Sequence, residues 1–130
     1  FPSYKLVSKG RVKEEMAELN AQQLSMQYTT MQSELEDLVI ARQKLETQLQ
    51  ENKIVQDEFD TLKDESQVYK LTGGVLLPVE QEEAKGNVEK RLQFIENEIT
   101  RCEKNIKEKQ TQLERLRNEL VRLRTAQPPV

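Results

Sequence analysis

The stretch Val68 to Pro78, Val-Tyr-Lys-Leu-Thr-Gly-Gly-Val-Leu-Leu-Pro, constrains this chain more than any other. Two short runs of β-favouring and aliphatic residues flank Gly73-Gly74, and paired glycines between such runs signal a tight hairpin turn that needs positive φ. With the glycines at the centre of the turn, Leu71 faces Leu76, Lys70 faces Leu77 and Thr72 faces Val75, which puts apolar side chains on both faces of the ribbon. A lone two-stranded ribbon is marginal in water and leaves two open edges. The hairpin is therefore expected to pack on, or pair with, something outside itself. The middle of the chain becomes an assembly element, and the arms on either side do the reaching.

Those arms cannot fill a globular core. Of 130 residues, 33% are charged and only 5% aromatic, with no Trp. A composition rich in Leu, Glu, Lys, Arg and Gln is ordinarily stabilised as a coiled coil, which buries a seam instead of a sphere. A net charge of −3 gives no general electrostatic reason to seek nucleic acid or an anionic membrane. The single Cys excludes an internal disulfide and fits a reducing compartment. No apolar run approaches the roughly 20 residues that span a bilayer. A cytoplasmic chain is the expectation.

Taken in order, Phe1 to Glu15 carries Pro2 and Gly10, begins without Met and holds no apolar residue in register with the heptads after it. It is read as an extraneous or frayed segment, with Met16-Ala-Glu-Leu resembling a natural start. From Leu24 the apolar residues step by four and three through Tyr28, Met31, Leu35 and Leu38, break at Arg42, and resume at Leu45 and Leu49. That is a heptad seam. Asn52 and Gln56 take the next seam positions while Ile54, Val55, Phe59 and Leu62 carry the apolar signal, which predicts a helix to about residue 66 whose contact face shifts near the hairpin. The hairpin is expected over 67–78. Pro78 is then expected in the first turn of a second helix over 79–125, with Glu80, Glu82 and Glu83 at the positive end of its dipole.

Within that second helix Gly86 reads as a tolerated defect or as a point of close backbone approach. Val88, Leu92, Ile95, Ile99, Cys102, Ile106, Lys109, Leu113, Leu116, Leu120 and Leu123 then step by four and three throughout, with only Lys109 wrong for a dry seam. Residues 126–130 form a tail ending in Pro128-Pro129. Folding at Gly73-Gly74 lays the two seams antiparallel, and an arm of roughly 45 residues would reach about 65 to 70 Å at 1.5 Å per residue. The fold class expected is mostly α: a long antiparallel two-helix coiled coil joined by a single β-hairpin.

Little here suggests catalysis. The chain has no His, so the commonest general base and metal ligand is missing, and Cys102 falls on an inward heptad position as a packed thiol. No Gly-Lys-Ser/Thr follows Gly73-Gly74, so the pair is no phosphate loop. Arg115, Arg117, Arg122 and Arg124 raise the alternative of an RNA-binding helical arm, against which stand Glu114, Glu119 and the facing Glu34, Glu36 and Asp37. A homodimeric coiled-coil adaptor is the other alternative. Leu19, Leu24, Met26, Leu116, Leu120 and Leu123 lie where the coiled coil ends, and partly covered aliphatic and Met side chains there make weak, adaptable contacts for apolar segments of other proteins.

The order helix, single hairpin, helix, with Arg42-Gln-Lys-Leu-Glu-Thr-Gln-Leu-Gln-Glu-Asn52 before the hairpin and Val68 to Val79 within it, resembles the β-class subunits of prefoldin. The resemblance extends from Met16 to about Arg124. It implies a heterohexamer of two α-class and four β-class subunits whose hairpins join into an intersubunit β-barrel. It further implies an ATP-independent co-chaperone, without cofactor, that captures unfolded actin and tubulin at coiled-coil tips and passes them to the cytosolic group II chaperonin. On that basis Val68, Tyr69, Leu71, Val75, Leu76 and Leu77 are assigned to assembly. Leu19, Leu24, Met26, Leu120 and Leu123 are assigned to client contact.

Overall fold

In the computed structural model, which describes residues 2–4 and 6–126, the elements run α1 (Lys9–Thr61), β1 (Val68–Thr72), β2 (Val75–Val79) and α2 (Gln81–Ala126). The helix α1 opens inside the segment that the sequence sets apart. Ser8 Oγ accepts the Arg11 backbone N–H at 3.2 Å, the contact of a helix N-cap. Upstream of Leu24 the seam positions are held by Ala21 and Ala17, both half-buried, so the four-and-three stepping continues through side chains too small to stand out in a hydropathy pattern. The C-terminal residues expected as a tail lie, from residue 127 on, outside the described residues.

At its other end α1 stops at Thr61, five residues short of the expected boundary. Asp57, Glu58 and Asp60 oppose the helix dipole there, and the last turn has no basic residue to offset them. The loop that follows is held from the second helix: Gln81 Nε2 donates to the carbonyls of Lys63 at 2.8 Å and Ser66 at 2.7 Å. Pro78 does not open α2. It lies in β2 opposite Tyr69, and α2 begins at Gln81 with Glu82 and Glu83 in its first turn.

Residues 38–105 form one compact unit, and residues up to 37 together with those from 106 form another. The first, the hairpin unit, is centred on Leu49, Leu92, Ile95 and Ile99, with Leu45 and Val88 packed against them. Cys102 is buried in the same unit, its Sγ donating to the Leu38 carbonyl at 3.3 Å. Arg42, the break in the seam, is accommodated by Glu103: its Nε and Nη2 both donate to Oε1, at 3.0 and 2.8 Å. That hydrogen bonding raises the pKa of the Arg42 guanidinium.

The contact face of α1 does not shift near the hairpin. Asn52, Gln56 and Phe59 remain half-buried on the seam, whereas Ile54, Val55 and Leu62 are exposed. Polar side chains can hold seam positions there because their needs are met locally, as where Asn52 Nδ2 donates to the Gln48 carbonyl at 2.7 Å. Among the described residues nothing lies within 4 Å of where a Cβ at Gly86 would stand, so among them it is a defect and not a close approach. Gly86→Ala should therefore stabilise the helix by about 0.5–1 kcal/mol, read as a higher thermal midpoint by circular dichroism. An unchanged or lower midpoint would contradict this reading of Gly86.

The terminal unit has a thinner core. Leu113 is buried, while Leu24, Tyr28, Met31, Leu35, Leu116, Leu120 and Leu123 are half-buried. Lys109, the one charged residue in the α2 seam, pairs through Nζ with Glu34 of α1. The side chain lays its alkyl stem along the seam and carries its charge to the rim.

Candidate assembly and client surfaces

The hairpin is built by its turn. Gly73 and Gly74 have φ of 57° and 80°, the pair of positive values that a two-residue type I′ loop requires. The register follows directly: Thr72 opposite Val75, Leu71 opposite Leu76, Lys70 opposite Leu77, Tyr69 opposite Pro78 and Val68 opposite Val79. Residues opposite one another share a face, so Tyr69, Leu71, Leu76 and Pro78 form one side of the ribbon. Val68, Lys70, Thr72, Val75, Leu77 and Val79 form the other.

The hairpin comes against the helices toward its base, where Tyr69 and Lys70 line the intervening space together with Val68 and Val79. Val68 and Val79 are half-buried, and with Val55 and Phe59 of α1 and Val88 and Arg91 of α2 they line an open cleft of about 520 Å³. Elsewhere the hairpin is exposed. Tyr69, Leu71, Val75, Leu76 and Leu77 each keep between 48% and 69% of their surface accessible. Among the described residues, neither outer edge of the two-stranded sheet is paired.

The two edges differ. The residues flanking a two-residue loop exchange both backbone hydrogen bonds, and pairs along the ladder then alternate. Thr72–Val75, Lys70–Leu77 and Val68–Val79 are thus the bonded pairs, while Tyr69, Leu71, Leu76 and position 78 turn their backbone groups outward. Pro78 has no N–H to offer, so its place in β2 costs the hairpin no bond but blunts the outer edge of β2. The outer edge of β1 keeps the donors of both Tyr69 and Leu71.

Of the residues assigned to assembly, all six lie on this hairpin, five exposed and Val68 at its base. Val79 pairs with Val68 at the base of the ribbon, so β2 runs one residue past the expected end of the hairpin at Pro78. The five residues assigned to client contact all fall in the terminal unit. Leu24, Leu120 and Leu123 are half-buried along the seam, whereas Leu19 and Met26 are exposed away from it. Among the described residues no group of three or more His, Cys, Asp or Glu could hold a metal ion, and no helix is long and apolar enough to cross a membrane.

A family profile described as prefoldin subunit matches residues 22–126, which take in α1 from residue 22 on, the whole hairpin and α2. The chain belongs to the prefoldin subunit family. It is 64% identical over 101 residues to prefoldin subunit 6 of Saccharomyces cerevisiae, covering 78% of this chain and 89% of that protein. To prefoldin subunit 6 of Homo sapiens it is 40% identical over 111 residues, covering 83% of this chain and 86% of that one. Its fold matches a crystal structure of the prefoldin beta subunit from Thermococcus strain KS-1 with a TM-score of 0.74, at 24% identity and over 85% of this chain and 95% of that one. The chain is thus a prefoldin co-chaperone subunit, and its partners include other prefoldin subunits.

Proposed function

We propose that this prefoldin subunit enters a heterohexamer of α- and β-class subunits through its hairpin, which contributes two strands to an intersubunit β-barrel. In this role the subunit is not an enzyme. The complex works in the cytoplasm, without ATP or cofactor, holding unfolded actin and tubulin and passing them to the cytosolic group II chaperonin. The observation that carries the assembly step is a ribbon exposed on both faces and open at both edges in a chain this similar to prefoldin subunit 6. Such a ribbon gains from neighbouring strands what it cannot gain alone.

Client contact falls to the terminal unit, at Leu19, Leu24, Met26, Leu120 and Leu123. Each contact is weak, and several tethered subunits raise the effective concentration enough to hold a non-native chain. The test dilutes chemically unfolded actin into the assembled complex without nucleotide and follows aggregation by light scattering. The wild-type complex should suppress aggregation, and Leu120→Ser with Leu123→Ser in this subunit alone should weaken suppression by less than about twofold. Complete loss in that variant would overturn the multivalent account. No suppression by the wild-type complex would overturn the function itself.

A further inference from the structure

The helix α1 carries a second ladder. On the side away from α2, Val12, Met16, Leu19, Gln23, Met26, Thr30 and Ser33 step by four and three, the same rhythm as the seam Ala17, Ala21, Leu24, Tyr28, Met31. The two ladders are offset by two residues, about 200° around the helix. In an antiparallel pair of helices this outer face ordinarily carries the charge. Here none of the seven positions is charged, and from Met16 to Ser33 the only charged residue is Glu18. With 33% of the chain charged, about six would be expected in such a stretch. The apolar members are well exposed: Met16 65%, Leu19 59% and Met26 71%.

The surface between them has a shape as well as a polarity. Met16, Leu19, Asn20 and Gln23, with Ala17 below, line a depression on this face. These four stand at i, i+3, i+4 and i+7, the set that forms the hole receiving a knob from a facing helix in coiled-coil packing. An extended segment presents side chains to one face every two residues and does not match a seven-residue repeat. From Met16 to Ser33 the only charge is that of Glu18, so nothing cationic there attracts a phosphate backbone or an acidic peptide.

We infer that the outer face of α1 from Val12 to Ser33 is a docking seam for an amphipathic α-helix whose apolar residues step by four and three. This rests on the reading that the terminal unit contacts the held chain, and it adds the form in which a segment is held: as a helix laid along α1. Val12, Met16 and Leu19 precede the residues that the family profile matches. Met, unbranched and polarizable, suits a seam that accepts helices of differing side-chain shape.

The experiment uses the assembled complex and two synthetic three-heptad peptides of one composition. One has leucines in four-and-three steps, the other in strict alternation, both with Gln and Ser between them. Fluorescence anisotropy should show the helical peptide binding about tenfold or more tightly than its isomer, the scale of losing one or two anchoring contacts. Met16→Gln with Leu19→Gln should bring it to the isomer's level. Glutamine keeps the helix, which circular dichroism verifies, and Val121→Gln on α2 is the surface control, expected to change nothing. Equal binding of the two peptides, or binding indifferent to the double substitution, would overturn the seam. Suppression of actin aggregation is measured on the same samples: retained suppression with no peptide discrimination removes the seam and leaves the co-chaperone reading standing. Lost suppression with discrimination intact does the reverse.

Discussion

Leu71→Asp combined with Leu76→Asp is expected to exclude the chain from the hexamer while leaving its helices intact. The two residues face each other across the ladder and are 69% and 62% exposed, so the chain alone loses little when they change. Assembly is a different matter. Each leucine covered by a neighbouring strand contributes on the order of 1.5 to 3 kcal/mol, and a carboxylate buried there without a partner adds a further cost. The lost burial alone, about 3 to 6 kcal/mol for the pair, corresponds to a weakening on the order of 10² to 10⁴. Size-exclusion chromatography with the partner subunits should show the variant eluting apart from the complex, with an unchanged helical circular dichroism signal. Undiminished incorporation would remove the hairpin from assembly. A defined homodimer of the isolated chain, indifferent to these substitutions, would instead favour a coiled-coil adaptor.

Ile95→Ala should produce the largest loss of stability available to a single aliphatic truncation. Ile95 is 2% exposed and packs with Leu49, Leu92 and Ile99, in a unit with few other buried side chains. Removing it loses the transfer free energy of the deleted groups and leaves a cavity that the two helices can close only in part, together about 2–5 kcal/mol. Thermal and urea unfolding followed at the helical band should both shift to milder conditions. Val121→Ala, on a side chain 53% exposed, should stay within about 0.5 kcal/mol of wild type. A loss at Ile95 no larger than at Val121 would mean that the seam does not hold the helices together.

Much of the architecture was legible because its causes are local. A seam of aliphatic residues at four-and-three spacing specifies which side of α2 is covered: Leu92, Ile95, Ile99, Cys102 and Leu113 are the residues that end up buried. The hairpin register was legible for the same reason, since two residues needing positive φ leave one way of closing a two-residue loop. What misled was composition read as position. Pro78 looked like a helix start, yet in β2 its missing N–H falls on an outward-facing position where no partner within the chain is lost.

The sequence alone therefore determined the two helices, the turn, the pairing across it and the side of α2 that is buried, because periodicity and backbone sterics act over a few residues. Only the tertiary structure decided which of two competing faces of α1 meets its neighbour. Near the hairpin the seam keeps Asn52 and Gln56 and leaves Ile54 and Val55 outside; toward the start it is carried by Ala17 and Ala21 while Met16 and Leu19 point away. A helix can match the stepping of α2 on one face only. Holding register with the long aliphatic ladder of α2 outweighs the burial of a few larger side chains, which remain on the surface.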